Sequence, residues 1–218
     1  MRLLLIRHGQ TPDNVAGRLG TAAPGPGLTA LGREQAAVVP AALAGESIGA
    51  LYVSTLLRTH ETAQPLATTL GLEPTVVDGF REVVAGDLEG RSDHASVSTY
   101  MGTVVSWVEG DLDRRMPGSE DGHEFFDRFD AAVAQAVAGG HETVAVVSHG
   151  AAIRGWCGAR CLDGAADFVS RHPLENTGVV TLEGGPDAGW RLLSWQGTPL
   201  GGLRYEDDAA DDPTGEAS

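Results

Sequence analysis

Apolar positions along the chain gather into short runs: RLLLI (2–6), GALYVS (49–54), TVVD (75–78), TVAVVS (143–148), TGVVTLE (177–183) and WRLLSW (190–195). Their length and β-branched content predict strands. Between several of them the period of the apolar positions changes to that of a helix. The clearest case is EDGHEFFDRFDAAVAQAVAGG, where Phe125, Phe126, Phe129, Val133, Ala136 and Val137 share one side. Asp121 and Glu124 form a capping pair at its start, and Gly139-Gly140 ends it. Helices are also predicted over 29–45 and 56–71, with Pro40 and Pro65 each expected to kink or split its helix.

Alternation of strand and helix, with runs such as VAVV apolar on both faces, predicts an α/β fold in which helices cover both sides of a parallel sheet. The expected architecture is a three-layer α/β/α sandwich with a mostly parallel central sheet and a small inserted cap. The chain's 218 residues suit one such domain, placed at 1–204. The poorly patterned region 86–118 is the expected cap, TAAPGPGLT (21–29) an ordered loop, and 205–218 a disordered acidic tail.

Charge narrows the function. The formal net charge is −15, and six acids lie in YEDDAADDPTGEAS, which leaves −9 on residues 1–204. That balance argues against nucleic acid and anionic membranes as partners. All fifteen basic residues are arginine, so Schiff-base chemistry and a Walker-type phosphate lysine are excluded. The apolar run before Arg7 is too short for a secretory leader, and none reaches the roughly 18 residues of a membrane span, so a cytoplasmic location is expected. Cys157 and Cys161 lack the spacing and number of a structural zinc site and read as core thiols.

Two strands end in His-Gly: Arg7-His8-Gly9 closes the first, and Ser148-His149-Gly150 closes TVAVV. In an open parallel sheet, ligands bind beyond the carboxyl ends of the strands, so neighbouring strands would bring the two imidazoles together. The glycines allow sharp turns and close backbone approach to a ligand. Arg58, near a helix start after another strand, is placed to face an anion, although taken alone it reads more readily as a solvated helix arginine. Glu82 follows Arg81 in an apolar, glycine-punctuated stretch. Burial there raises a carboxyl pKa as a general acid requires, while the plain alternative is a loop glutamate paired with Arg81.

These segments together resemble the histidine phosphatase superfamily, in the branch of cofactor-dependent phosphoglycerate mutases and related small-molecule phosphatases. RHGQT, with Asn14 and Arg18 after it, is similar to the RHG(E/Q)T signature. GLTALGREQA, RTHETAQPLA, REVVAGDLEG, PGSEDGHEFFDRF, VAVVSHGAAIRG and ENTGVVTLE follow in the family's order, from residue 3 to about 195. The resemblance implies a phosphohistidine mechanism on a small phosphorylated metabolite. His8 would be the nucleophile and Glu82 the proton donor. Arg7, Arg58, Asn14 and His149 would hold the phosphoryl oxygens, with no metal and no cofactor. The absence of lysine and the short middle region favour a phosphatase over a mutase.

Departures from the family pattern fall on the substrate side. The loop after Arg18 is one residue tighter and lacks the usual aspartate, PGSEDG lacks one glycine, Leu88 stands at an often aromatic site, and Gln10 replaces the commoner glutamate. The substrate is therefore open, as is assembly, with a homodimer among the candidates. Competing functions are mutase-type phosphoryl transfer, a non-catalytic phosphoanion-binding member, and a metal hydrolase using His8, His60 and His149. His60, His94, His123, His141 and His172 are expected to be surface or structural residues.

Overall fold

A computed structural model describes residues 1–161, 171–207 and 209–215. The described residues form one six-stranded sheet from β1 (Arg2–Arg7), β2 (Ile48–Val53), β3 (Thr75–Val76), β4 (Thr143–Ser148), β5 (Val179–Gly185) and β6 (Gly189–Gln196), in the order β3-β2-β4-β1-β5-β6. β3, β2, β4 and β1 run parallel, and β5 and β6 are antiparallel additions on the other side of β1.

The central strands are buried on both faces, which is why they read as unbroken apolar runs. Leu3 and Leu5 point to one side with Val144 and Val146, into a cluster with Phe125, Phe129, Ile153 and Trp156. Leu4 and Ile6 point to the other with Ala145 and Val147, against Val39, Ala63 and Leu66. The first face is covered by α5 (Gly122–Val137) and α6 (Gly150–Arg160), and the second by α2 (Ala30–Ala42) and α3 (Leu57–Leu70). The result is the three-layer sandwich that the alternation predicts.

Asp121 and Glu124 form a reciprocal capping box at the start of α5. Pro40 and Pro65 do not split α2 or α3. α3 buries residues on both sides of Pro65, Ala63 before it and Leu66 and Ala67 after it, so packing offsets the lost backbone bond; α2 buries Ala36 and Val39 before Pro40 and ends two exposed residues after it. The region 86–118 contains α4 (His94–Val108), whose Tyr100, Val104 and Trp107 join the main core beside Phe125.

The segment expected to be a disordered acidic end is different. Residues 205–207 and 209–215 lie against the carboxyl edge of the sheet, with Gly215 accepting from the Leu174 amide at 2.8 Å and Tyr205 accepting from Gln35 Nε2 at 2.7 Å. Composition predicts disorder because the segment has little to bury. It does not register that one of its acids, Asp212, finds a buried arginine. Asp208 and Glu216 lie outside the described residues.

Candidate active site

Because β1 and β4 are parallel neighbours in register, with Arg7 opposite Ser148, the residues that follow them emerge together. His8 and His149 stand edge to face with ring centroids 5.2 Å apart, both buried. Each imidazole has a defined hydrogen-bonding state. His8 Nδ1 lies 2.8 Å from the Gly9 carbonyl, which only accepts, so Nδ1 carries the proton and Nε2 keeps its lone pair. His149 Nδ1 accepts from Arg58 Nε at 3.2 Å, so its proton is on Nε2, donated to Ser54 Oγ at 2.8 Å. Burial, then the positive charge of Arg58, holds both imidazoles well below their usual 6.5.

β2 delivers the next group. Ser54 follows it, and Arg58 occupies the first turn of α3, buried and bonded to the Gly20 carbonyl at 3.1 Å as well as to His149. Its desolvation lowers the guanidinium pKa to about 10, still charged at neutral pH. Arg7 is fully buried. Its Nη1 donates to the Leu174 carbonyl at 2.7 Å and its Nη2 to Thr214 Oγ1 at 3.0 Å, and Nη2 lies 2.5 Å from Asp212 Oδ2. Asn14 sits in the one-turn helix α1 (Pro12–Val15), with Oδ1 accepting from the Thr11 amide at 2.9 Å and Nδ2 donating to Asp212 Oδ1 at 3.1 Å.

Glu82 reaches the same crevice and, among the described residues, pairs with no cation. Arg81, the partner suggested by sequence, bonds Asp78. Glu82 Oε1 accepts from the Val83 and Ala152 amides at 2.9 and 2.8 Å, and Oε2 from the Ala151 amide at 3.2 Å, so the carboxylate satisfies free donors at the start of α6. Burial raises its pKa from the usual 4.5 and outweighs the lowering by these bonds and by Arg58.

The loop bearing Glu82 is held by the PGSEDGHEFFDRF segment. Arg128 Nη2 donates to the Glu82 carbonyl at 3.0 Å and to Glu120 Oε1 at 2.7 Å, its Nε donates to Glu120 Oε2 at 2.8 Å, and Glu120 in turn receives the Val84 amide at 2.9 Å. Tyr100 of α4 donates to the Val83 carbonyl at 2.7 Å, and Ser148 Oγ to the Phe80 carbonyl at 2.8 Å. This double clamp fixes the carboxylate's backbone from both sides.

A small cavity opens among His8, Asn14, Arg18, Arg58, Glu82 and Thr214. A model of the histidine phosphatase superfamily (branch 1) matches residues 3–198. The chain belongs to this superfamily. This histidine phosphatase-superfamily chain is 35% identical over 212 residues to the PE-PGRS family protein PE_PGRS11 of Mycobacterium tuberculosis, covering 90% of this chain and 36% of that protein. It is 34% identical over 134 residues to a Salmonella choleraesuis protein named "Probable phosphoglycerate mutase GpmB", covering 62% of each. The chain thus spans about a third of the first relative's length and under two thirds of the second's. The structure of a mycobacterial glucosyl-3-phosphoglycerate phosphatase complexed with VO3 matches it with TM-score 0.75 and 29% identity, over 89% of this chain and 98% of that one.

Within this superfamily fold, His8, Asn14, Arg58 and Glu82 of the six residues singled out from sequence line one cavity, while His149 is buried behind it against His8 and Arg58, and Arg7 is buried beside it, joined to Asn14 through Asp212. His60, by contrast, bonds the Ser54 carbonyl through Nε2. Among the described residues no group of three or more His, Cys, Asp or Glu is placed to hold a metal ion. Gly9 has a different reason from the ligand approach expected of it. A Cβ there would lie 2.7 Å from the Gly32 carbonyl oxygen, so it admits the first turn of α2. Sequence reasoning missed Ser54, Asn176, Asp212 and Thr214. Asn176 Nδ2 donates to the His8 carbonyl at 3.1 Å, and ENTG, the opening of a matched segment, was a signal pointing to it. Asp212 had no local signal.

Proposed function

We propose that the chain hydrolyses the phosphomonoester of a small phosphorylated metabolite through a phosphohistidine on His8. The observation that carries this reading is the tautomer of His8: Nδ1–H is engaged with the Gly9 carbonyl, and the ring is neutral, so Nε2 is a competent nucleophile facing a cavity rimmed by Arg58 and Glu82.

In the first step Nε2 forms a bond to phosphorus as the ester P–O bond breaks, and Glu82 gives its proton to the leaving oxygen. In the second, water attacks phosphorus, the N–P bond breaks, and Glu82 takes the water's proton, so ester and water become alcohol and phosphate. Arg7, Arg58 and Asn14 hold the phosphoryl oxygens throughout. A dianion beside His149 favours its protonated form, which adds a further donor to the charge in the transition state.

The proton inventory supports this division of labour. The chemistry needs His8 neutral and Glu82 protonated at once, whereas ordinary values of 6.5 and 4.5 favour the opposite distribution. Burial pushes the imidazole down and the carboxyl up, and so raises the population of the working form.

The likeness to a glucosyl-3-phosphoglycerate phosphatase makes sugar phosphoglycerates and related phosphorylated acids the first substrates to screen. The test is phosphate release from an activated aryl phosphate in the presence of a chelator, for wild type and His8→Ala. Release that disappears in His8→Ala, with acid-labile phosphate trapped on wild-type protein, is the expected result. Release that survives the substitution overturns the assignment of the nucleophile. Transfer of phosphate to glycerate in place of water would reassign the chain to mutase chemistry.

A further inference from the structure

The donors assigned to the phosphoryl group are already engaged by an anion of the chain itself. Asp212 places Oδ2 2.5 Å from Arg7 Nη2 and Oδ1 3.1 Å from Asn14 Nδ2, with only 6% of its side chain exposed. Two residues on, Thr214 Oγ1 takes a second bond from Arg7 Nη2 and lines the cavity that also exposes His8 and Glu82. Gly150, directly after the second histidine, makes room for this. A Cβ there would lie 2.7 Å from the Thr214 carbonyl oxygen.

The rest of the segment is held by polar contacts: Gln10 Nε2 to Asp207 Oδ2 at 2.8 Å, Gln35 Nε2 to the Tyr205 carbonyl at 2.7 Å, and the Leu174 amide to the Gly215 carbonyl at 2.8 Å. It contributes no large aliphatic side chain to the core. A buried ion pair of this kind loses much of its Coulomb energy to desolvation, so a dianion that satisfies Arg7 and Asn14 equally well can replace it.

We propose that residues 205–207 and 209–215 belong to an autoinhibitory strap whose Asp212 carboxylate stands in for the substrate's phosphoryl group at Arg7 and Asn14. The proposal rests on the phosphate-binding reading of those two residues. Substrate binds only the strap-off state, and its apparent affinity is lowered by the fraction of molecules in that state. The strap acts on binding and leaves the chemical step at His8 unchanged.

The experiment compares full-length wild type with Asp212→Asn, which keeps the shape and removes the charge, and Asp212→Lys, which repels Arg7. Binding of inorganic phosphate is measured by equilibrium dialysis, and KM and kcat are measured with the aryl phosphate. The expected result is tighter phosphate binding and a lower KM, by at least about threefold, with kcat within about twofold of wild type. Weaker phosphate binding or a raised KM would show that Asp212 instead orients Arg7, and unchanged values would show that the strap does not compete. Either overturns the proposal. If no form hydrolyses the ester but phosphate still binds more tightly to the Asp212 variants, the strap stands and the phosphatase reading falls. If no form binds phosphate, the strap falls with it.

Discussion

A pH-dependent loss of stability should follow from burying two neutral imidazoles. In the folded protein the His149 pKa is depressed, chiefly by burial, whereas in the unfolded chain it returns to about 6.5. Below that value the unfolded state binds a proton that the folded state refuses, so stability is complete above 6.5 and declines as pH falls toward the folded pKa. A group that stays neutral when folded removes about 1.6 kcal/mol between about pH 6.5 and pH 5. His8 adds a term of the same sign. Glu82 works in the opposite sense. Its raised pKa means that the folded state takes up a proton first, so it gains stability as pH falls. The comparison must therefore be made at constant Glu82, by urea unfolding of wild type and His149→Gln, followed by the fluorescence of buried Trp107 and Trp156. Glutamine can accept from Arg58 and donate to Ser54, as the imidazole does. The wild type should lose about 1.6 kcal/mol more than the variant across that interval. Parallel stability–pH curves would show that His149 takes its proton in the folded state, and the neutral-imidazole argument would fail.

Two further outcomes are expected. Glu82→Gln keeps the side chain's size but removes the proton that the proposed mechanism delivers to the leaving oxygen. Hydrolysis of alkyl phosphates should drop by roughly a hundredfold or more while aryl phosphates lose much less, and equal losses on both would remove Glu82 as proton donor. Phe129 is fully buried against Phe80, Phe125 and Trp156, with ring centroids 5.3, 6.0 and 5.4 Å away. Phe129→Ala should cost about 3–5 kcal/mol in chemical denaturation, and a cost below about 1 kcal/mol would mean that the aromatic cluster does not hold α5 to the sheet.

How much of this was legible depended on the range of the physics involved. β1 and β4 were readable because burial on both faces demands an apolar side chain at every position, and α5 because its stripe and capping box lie within one contiguous stretch. β3 was overestimated from TVVD. Only Thr75 and Val76 pair, at the sheet edge, where a single neighbour supports them. The split allowed for at Pro65 does not occur for a related reason, since the local penalty is visible in sequence and the offsetting packing of Leu66 and Ala67 in the core beside β2 and β4 is not.

The site divides along the same line. That His8 and His149 terminate strands is local information, and their adjacency follows once β1 and β4 are neighbours. Two of the three amides that Glu82 accepts from lie 69 and 70 residues away, and no property of REVVAGDLEG announces that a helix will begin there. Asp212 is the extreme case, 205 positions from Arg7 in a stretch whose composition favours solvent. Yet Arg7, which only the RHG resemblance assigned to a phosphoryl group, is a fully buried guanidinium at a strand end, and such a charge also attracts any carboxylate within reach. A chain that buries such a cation must supply either a ligand or one of its own acids to answer it, and here the acid comes from the most acidic stretch of the chain.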